Sequence, residues 1–569
     1  MSLSTLAPVD AVWASSKFIP IPTADILTFA FANLGRYDQN APIFVDARSP
    51  SDSVSALHAY RIVHQLIRGF KELGLKEGDC VCLHSYNNIW YPLLWLAIIG
   101  AGGCVSGTNP GYSSSELVGH FNLTKPKYIL SEVACIKPII DAASQCNIAT
   151  SNIFFVGTQD IPHVHGCRSW RTLLIDCECD WSASNQHDAH SAPNRVAVYA
   201  MTSGTTGLPK VAMISHRYVV AQTVFLESQF DARPYQPSQL ICLPVFHAFA
   251  SPLALVLPLR RGIPTYFLPR FTLQGFLHAV GAFSITDTPV VPPIIASLNQ
   301  SPESDHHLLR SLRYVICAGA PMTTRVQTKL YDILDAHAVI SQCWGTTEGG
   351  WHTLFDWQEK DTSGSVGRLM PNVQMKVIDD DGNPVGEDDK LGEALIRSPI
   401  MFSGYLDNPD ANKEAFDVDG FYRTGDRVYV QNNKIFHEGR IKEVMKVNGW
   451  QVSPTELETV LMEHPLISDA AVVGMTRENQ LGIQVTLPCA YVVRVHVESV
   501  GQGSGTSNTD VRGGLEPLTA KEVTDFIASK LISYKHLTGG VVFVKEIPRS
   551  STGKIMRRLL SATELDSSN

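Results

Sequence analysis

Several absences constrain this chain before anything it contains is considered. Its 12 cysteines include no Cys-x-x-Cys pair, and the closest spacings, Cys80 with Cys82 and Cys177 with Cys179, have no matching histidines. That argues against a zinc site and for free thiols in a reducing compartment. A basic stripe is missing too: 46 Lys and Arg stand against 55 Asp and Glu, a formal net charge of -9. The electrostatic footprint of a nucleic-acid binder is therefore absent, and no Lys/Arg run suggests a membrane surface. The start, MSLSTLAPVDAVW, has no basic segment followed by an apolar core, so no secretory signal is expected. The final Asp566-Ser567-Ser568-Asn569 is not a peroxisomal S-K-L signal, which favours a cytoplasmic over a peroxisomal location. No internal repeat occurs. The most apolar run, Ile89 to Val105, is interrupted by Pro92, Gly100, Gly102 and Gly103. It falls short of the ~20 unbroken residues of a membrane span, and a buried helix is expected.

What remains is a chain of 569 residues, 44% hydrophobic and 18% charged. This suits a folded protein of two to four domains with a large core. Residues 56 to 76 read as an amphipathic helix, with Leu57, Ile62, Leu66 and Phe70 near helical spacing. Short apolar runs at Val81–His84, Tyr128–Leu130, Ile153–Val156 and Val196–Ala200 read as buried strands, and Leu240–Leu243, Thr265–Leu268 and Tyr314–Cys317 continue the pattern. Strands alternating with helices predict α/β layers with parallel sheets. Between 365 and 436 the runs turn short and alternating (Gln374–Val377, Ala394–Arg397, Arg427–Val430), split by DDGNP and DNPD turns, which predicts a β-rich subdomain. Mixed α/β texture returns beyond Gly439-Arg440. There Ser453 and Glu456 form a capping box for a helix at Pro454–Glu463. The Gly/Ser-rich residues 498–516 read as a mobile surface loop.

Chemistry concentrates in a few stretches. Thr202-Ser203-Gly204-Thr205-Thr206-Gly207-Leu-Pro-Lys210 puts four hydroxyls, two glycines and a cation between two apolar runs. Successive N–H groups in such a turn make a nest for an anion, and hydroxyls with a lysine add donors and charge. It is not a Walker A loop, because Pro209 precedes the lysine and no Ser or Thr follows it. Gln342-Cys-Trp-Gly-Thr-Thr-Glu348 places an aromatic, two hydroxyls and a carboxylate in a turn. Tyr422-Arg-Thr-Gly-Asp426 ends on a carboxylate suited to ribose hydroxyls. Gly439 to Gly449 is a cationic turn, and Pro548-Arg-Ser-Ser-Thr-Gly-Lys554 lies near the end.

In this order, these motifs resemble the adenylate-forming superfamily of acyl-CoA synthetases, adenylation domains and beetle luciferases. Pro244-Val-Phe-His247, Ala318-Gly-Ala-Pro321 and Gly449-Trp-Gln-Val452 are most similar to the 4-coumarate–CoA ligase type. Gly439 departs from the family, which usually has an aspartate there. The resemblance implies an α/β N-terminal AMP-binding domain (1–438) that includes the β-rich subdomain. It also implies a small mobile α+β C-terminal domain (439–569) hinged near Lys442. It implies ATP, Mg²⁺ and CoA as cofactors, with Thr202 to Lys210 around the β- and γ-phosphates and Glu348 on Mg²⁺. Trp344 would stack near adenine with the backbone of Gly319, Ala320 and Pro321 on its other side, and Gly345, Thr346 and Thr347 would complete the nucleotide site. Asp426 would accept the ribose hydroxyls, reinforced by Arg440. Lys554 would stabilise carboxylate attack on the α-phosphate as pyrophosphate leaves. Lys446 and Gln451 would contact the acyl-adenylate, and Gly449 would line the pantetheine tunnel after the small domain rotates. His247 would gate the substrate carboxylate.

The acid is the open variable. Amino-acid adenylation domains carry an aspartate after the phosphate loop, whereas Phe246–Ser251 has no carboxylate to pair an ammonium. The expected pocket walls are Ala248, Phe249, Ser251, Ala318, Gly319, Cys343, Gly345, Trp351 and His352. Trp351 and His352 replace the proline and small aliphatic residue usual in the 4-coumarate type. An aryl or medium-chain acid is expected, joined to free CoA. A separate carrier protein is the alternative acceptor. A luciferase-type oxygenation shares every motif, and a non-catalytic nucleotide or acyl binder is the reading from another class.

Overall fold

A computed structural model describes residues 12–157, 163–176, 192–203, 209–319, 322, 324–379, 381–386, 391–440, 445–452, 454–478, 484–494, 518–548 and 557–560. Two compact units comprise residues 1–202 with 209–441, and residues 203–208 with 442–569.

The larger unit holds two mainly parallel sheets, as the alternation of strands and helices predicts. One has eight strands in the order Pro209–Ser215, Val196–Ser203, Cys104–Gly107, Cys80–His84, Tyr128–Glu132, Ile153–Val156, Cys167–Ser169 and His163–Val164. The other has seven, in the order Val339–Gln342, Tyr314–Cys317, Asp287–Val290, Gln239–Ile241, Thr265–Phe267, Pro42–Asp46 and Ser49–Ser55. The β-rich region forms a five-stranded antiparallel sheet: Val12–Ala14, Gln374–Ile378, Gly392–Arg397, Tyr422–Gln431 and Lys434–Arg440.

The helix expected over 56–76 runs Ala56–Glu72, started by Ser55, whose hydroxyl accepts from the His58 N–H. It stops early because Gly74 turns left-handed at φ +89°, a region glycine enters without strain. Tyr91–Gly100 is a helix buried along its whole length, which accounts for its unbroken hydrophobicity. No helix among the described residues is long and apolar enough to cross a membrane. The ten cysteines of the described residues are all free.

The expected strand Leu240–Leu243 ends at Ile241. Beyond it Asn87 takes over the backbone: its Nδ2 donates to the carbonyls of Leu243 (2.8 Å) and Leu268 (3.1 Å), and its Oδ1 accepts from Val245 N–H (3.0 Å). This buried amide fixes the exit of two strands and the entry to the His247 turn.

In the smaller unit, Ile467–Glu478, Gln484–Arg494 and Gly540–Phe543 make a three-stranded sheet. Helices Pro454–Leu461 and Ala520–Lys530 share an apolar core with it through Leu457, Leu461, Val472, Val492, Val523 and Ile527. Ser453, read as the cap of the first helix, lies outside the described residues. Glu456 accepts from Lys535 Nζ at 2.7 Å. Residues 498–516 also lie outside them.

Four buried histidines carry a pH prediction. Burial lowers His84 to about 3 and His120, His216 and His352 to about 4. They fold neutral; the His216 Nδ1, for one, accepts from the Ile26 N–H at 3.1 Å. Unfolded histidines titrate near 6.5. As pH falls from about 6.5 towards 4, the unfolded chain therefore gains protons that the native state refuses. Stability falls across that window, by up to about 1.4 kcal/mol per pH unit for each histidine, and these groups change nothing above it. Urea midpoints should drop steeply between pH 6.5 and 5. A flat profile there would show that these sites accept protons while folded.

Candidate active site

Glu348 stands between the two short strands Gly345–Thr346 and Gly350–Trp351. Gly345 has no room for a side chain, since a Cβ there would lie 2.4 Å from the Gly350 carbonyl oxygen, and Gly350 turns at φ +65°. The Glu348 carboxylate is buried, and its Oε1 accepts from Thr202 Oγ1 (3.0 Å) and Tyr405 Oη (2.8 Å). Thr202 belongs to the strand that leads into the hydroxyl-rich turn. Tyr405 is laid beside the strand that leads out: Met213 N–H donates to Gly404 O, and Leu406 N–H to Val211 O. Lys210 Nζ sits 4.9 Å from the Tyr405 ring centroid. One tyrosine thus ties the carboxylate to the lysine, a link that nothing in the motif spacing signals. Ser203 closes its strand, and Gly204 to Gly207 lie outside the described residues.

Asp426 is 2% exposed. Its Oδ2 accepts from Trp344 Nε1 at 2.9 Å, its Oδ1 is 3.3 Å from His437 Nε2, and its N–H donates to Thr424 Oγ1. The Trp344 ring meets His352 edge-on at 4.7 Å. His352 Nε2 is 3.1 Å from Thr346 Oγ1, which also accepts from Gly349 N–H. Thr347 gives its carbonyl to Tyr218 Oη. The strand register sets Asp426 opposite Arg440. Gly319 holds φ +92°, and Ala320 and Pro321 lie outside the described residues. His437 is a member of this cluster that sequence reasoning missed, since a histidine inside an alternating strand carries no signal.

His247 is accessible to solvent yet surrounded by protein, which lowers its pKa and keeps the ring neutral near pH 7. Its Nδ1 accepts from Phe249 N–H at 3.3 Å. Beside it opens a largely apolar cavity of about 60 Å³, room for roughly four to six waters. Ala248 and Ser251 line it, as expected. Its other walls include Trp95, Val105, Val198, Ile214 and Leu255, residues of separate elements that no motif connects. Phe249 and Trp351 pack against each other at 5.3 Å. With Ala318, Gly319, Cys343, Gly345 and His352 they lie outside this lining. Cys343 is buried, and burial pushes its thiol well above the ordinary range.

In the smaller unit, Lys446 and Gln451 pair across a hairpin whose Asn448 and Gly449 both have positive φ (+51° and +84°). That is the pairing a two-residue type I′ turn demands. Trp450 stacks on Tyr534 at 4.7 Å. Lys442 and Lys554 lie outside the described residues.

The larger unit thus holds a buried carboxylate bonded by two hydroxyls, a second one bonded by an indole, and an apolar cavity that takes in residues next to Glu348 and His247. Comparison with known proteins shows the family. The AMP-binding enzyme model matches residues 32–406, and the AMP-binding enzyme C-terminal domain matches residues 456–554. The chain belongs to this family. It is 38% identical over 551 residues to the acyl-CoA ligase azaF of Aspergillus niger, covering 95% of this chain and 98% of the relative. The phenylacetyl-CoA ligase epaB of the same species is also 38% identical, with 95% and 97% covered. The nicotinic acid–CoA ligase olcI of Penicillium canescens is 31% identical, with 94% and 97% covered. Among solved structures, the amide bond synthetase McbA of Marinactinospora thermotolerans superposes with a TM-score of 0.76 at 22% identity, covering 94% of this chain and 99% of that one. At that identity the likeness is one of fold.

Proposed function

We propose that this AMP-forming acyl-CoA ligase, which uses ATP and CoA, activates a compact aryl or arylalkyl carboxylic acid. The observation that carries the reading is the cavity. It begins beside the reactive groups: Ala200 stands two residues before Thr202, Thr347 precedes Glu348, and Ala248 follows His247. It is apolar, has no carboxylate among its walls to pair an ammonium, and is compact. The phenylacetyl- and nicotinic acid–CoA ligases among the relatives support an aromatic acid.

The chain's own residues then take these parts. The hydroxyl-rich turn with Lys210 grips the β- and γ-phosphates. Thr202 and Tyr405 orient Glu348. A single buried carboxylate fits magnesium, which binds through one or two carboxylates plus phosphate oxygens and water. Among the described residues no cluster of three or more His, Cys, Asp or Glu offers a fuller metal cage. Bound there, the ion would neutralise phosphate charge. Asp426, held by Trp344, takes the ribose, and neutral His247 guards the acid's entry. The acid's carboxylate attacks the α-phosphorus, the bond to pyrophosphate breaks, and Lys554 stabilises the charge gathering there. The CoA sulfur then displaces AMP from the acyl carbon, with Lys446, Gln451 and Gly449 on the side of the small domain. Lys442 is the hinge between the two steps.

Mass spectrometry of products from the purified chain with ATP, Mg²⁺, CoA and a panel of aryl and fatty acids tests this. An aryl-CoA product is expected. Acyl-AMP without thioester would point to a carrier-protein acceptor, and fatty acyl-CoA alone would overturn the acid class. Trp351→Ala removes the indole that Phe249 packs against, behind the 248–251 wall. It should shift the kcat/KM ranking of acids by roughly tenfold towards bulkier ones, within the range that pocket-size changes give. An unchanged ranking would remove Trp351 from the pocket.

A further inference from the structure

The cavity proposed for the acid is apolar over most of its wall, yet two residues of that wall each carry a buried polar atom with no hydrogen-bond partner among the described residues. Gln222 is 1% exposed and Tyr91 2% exposed, and both line the cavity. Gln222 Nε2 and Tyr91 Oη are each buried and unpartnered. Buried donors in native folds are nearly always satisfied, so two orphans on one cavity wall call for a ligand.

The geometry fixes what each can offer. The Gln222 Oε1 accepts from the Trp351 backbone N–H at 2.9 Å. Gly350 is the neighbour on that side, since a Cβ there would come within 2.3 Å of the same oxygen. The amide is thereby oriented: its oxygen is used, and its NH₂, which can only donate, is the end left over. Tyr91 is buried so completely that its phenol is pushed far above its ordinary pKa and keeps its proton. Gly107 leaves the space this hydroxyl occupies, because a Cβ there would lie 2.8 Å from Tyr91 Oη and 2.5 Å from Phe246 Cβ. The neighbouring hydroxyl, Tyr218, is already committed to the Thr347 carbonyl. Two donors and no carboxylate on an apolar wall would repel a cation and gain nothing from a bare hydrocarbon.

We propose that Gln222 and Tyr91 form a donor pair that selects acids bearing a hydrogen-bond acceptor away from the reacting carboxylate: a ring nitrogen, carbonyl, ether or hydroxyl oxygen. The inference rests on the cavity being the acid's binding site, as argued under the proposed function. Discrimination of this kind is strong where a site is built to satisfy a polar group, because the analogue lacking it leaves the site's own donors unpaired.

The test compares kcat/KM for matched acids, one of each pair with the acceptor and one with C–H in its place: nicotinic against benzoic acid, and hydroxyphenylacetic against phenylacetic acid. The wild type should prefer the acceptor-bearing partner of at least one pair by tenfold or more. Tyr91→Phe deletes one donor and keeps the ring, and should bring that ratio down towards one. Gln222→Glu keeps an oxygen for the Trp351 N–H but loses the NH₂, and should lower the same ratio. A merely structural defect would slow both acids of a pair alike and leave the ratio intact. If aryl acids are turned over with wild-type ratios near one, or if both variants keep the wild-type ratio, the donor pair is wrong while the ligase reading stands. If no aryl acid yields acyl-AMP or acyl-CoA, the acid class fails and the inference falls with it.

Discussion

Replacing Lys554 by alanine should lower acyl-adenylate formation by about 10²–10³-fold, the usual cost of removing one preorganised donor from a developing charge. The carboxylate of the acid and the triphosphate of ATP are both anions, so the first step forces like charges together. A lysine at the α-phosphate relieves that repulsion most at the moment pyrophosphate begins to leave. In the mechanism proposed above, Lys554 acts in the first step alone. Thioester formation from supplied acyl-AMP should therefore stay within about threefold of wild type, well short of the loss in the first step. Pyrophosphate release reports one step and acyl-CoA formation from the preformed adenylate reports the other. An equal loss in both would show that Lys554 supports the protein's structure or acts throughout, and would remove it from the role assigned here.

The second large effect concerns stability. Arg233 and Asp287 form an ion pair whose side chains are 1% and 6% exposed. The guanidinium also lies 3.7 Å from the Phe230 ring centroid and 4.5 Å from that of Tyr314. Burial already lowers the arginine's pKa below its ordinary value, a sign of how much hydration it has given up. Asp287→Ala leaves that cation uncompensated between two rings and should destabilise the larger unit by about 3–5 kcal/mol. Thr286, whose hydroxyl donates to the same carboxylate, loses that bond and keeps only those with the Ser238 backbone. A joint exchange of both charged residues for Met and Leu should recover most of the loss, since well-packed apolar residues often replace a buried pair without cost. Urea unfolding of the single and double variants decides the matter. A loss below about 1 kcal/mol for Asp287→Ala would mean that water reaches the pair in solution.

Much of the molecule could be read along the chain because it follows from local rules. Ile153–Val156 and Tyr314–Cys317 are strands over the residues expected, since an unbroken apolar run too short for a helix has little else to become between two layers. The helix at 91–100 follows from the same hydrophobicity. The family is legible for a related reason: its motifs are made of particular residues at fixed short spacing.

Tertiary structure alone decided the partners. Tyr405 reaches Glu348 across 57 positions, Asn87 reaches the His247 turn across 158, and Gln222 meets Trp351 across 129. None of these distances has a period or a motif. The acid cavity is the extreme case, with walls drawn from one helix near residue 91, strands near 105 and 198, and the turn at 248. Local spacing fixes what a segment can be, because backbone sterics and hydrogen bonding act over a few residues. Which segments face one another depends on how the sheets stack, and so the chain alone determined the local elements while the fold decided which of their side chains meet.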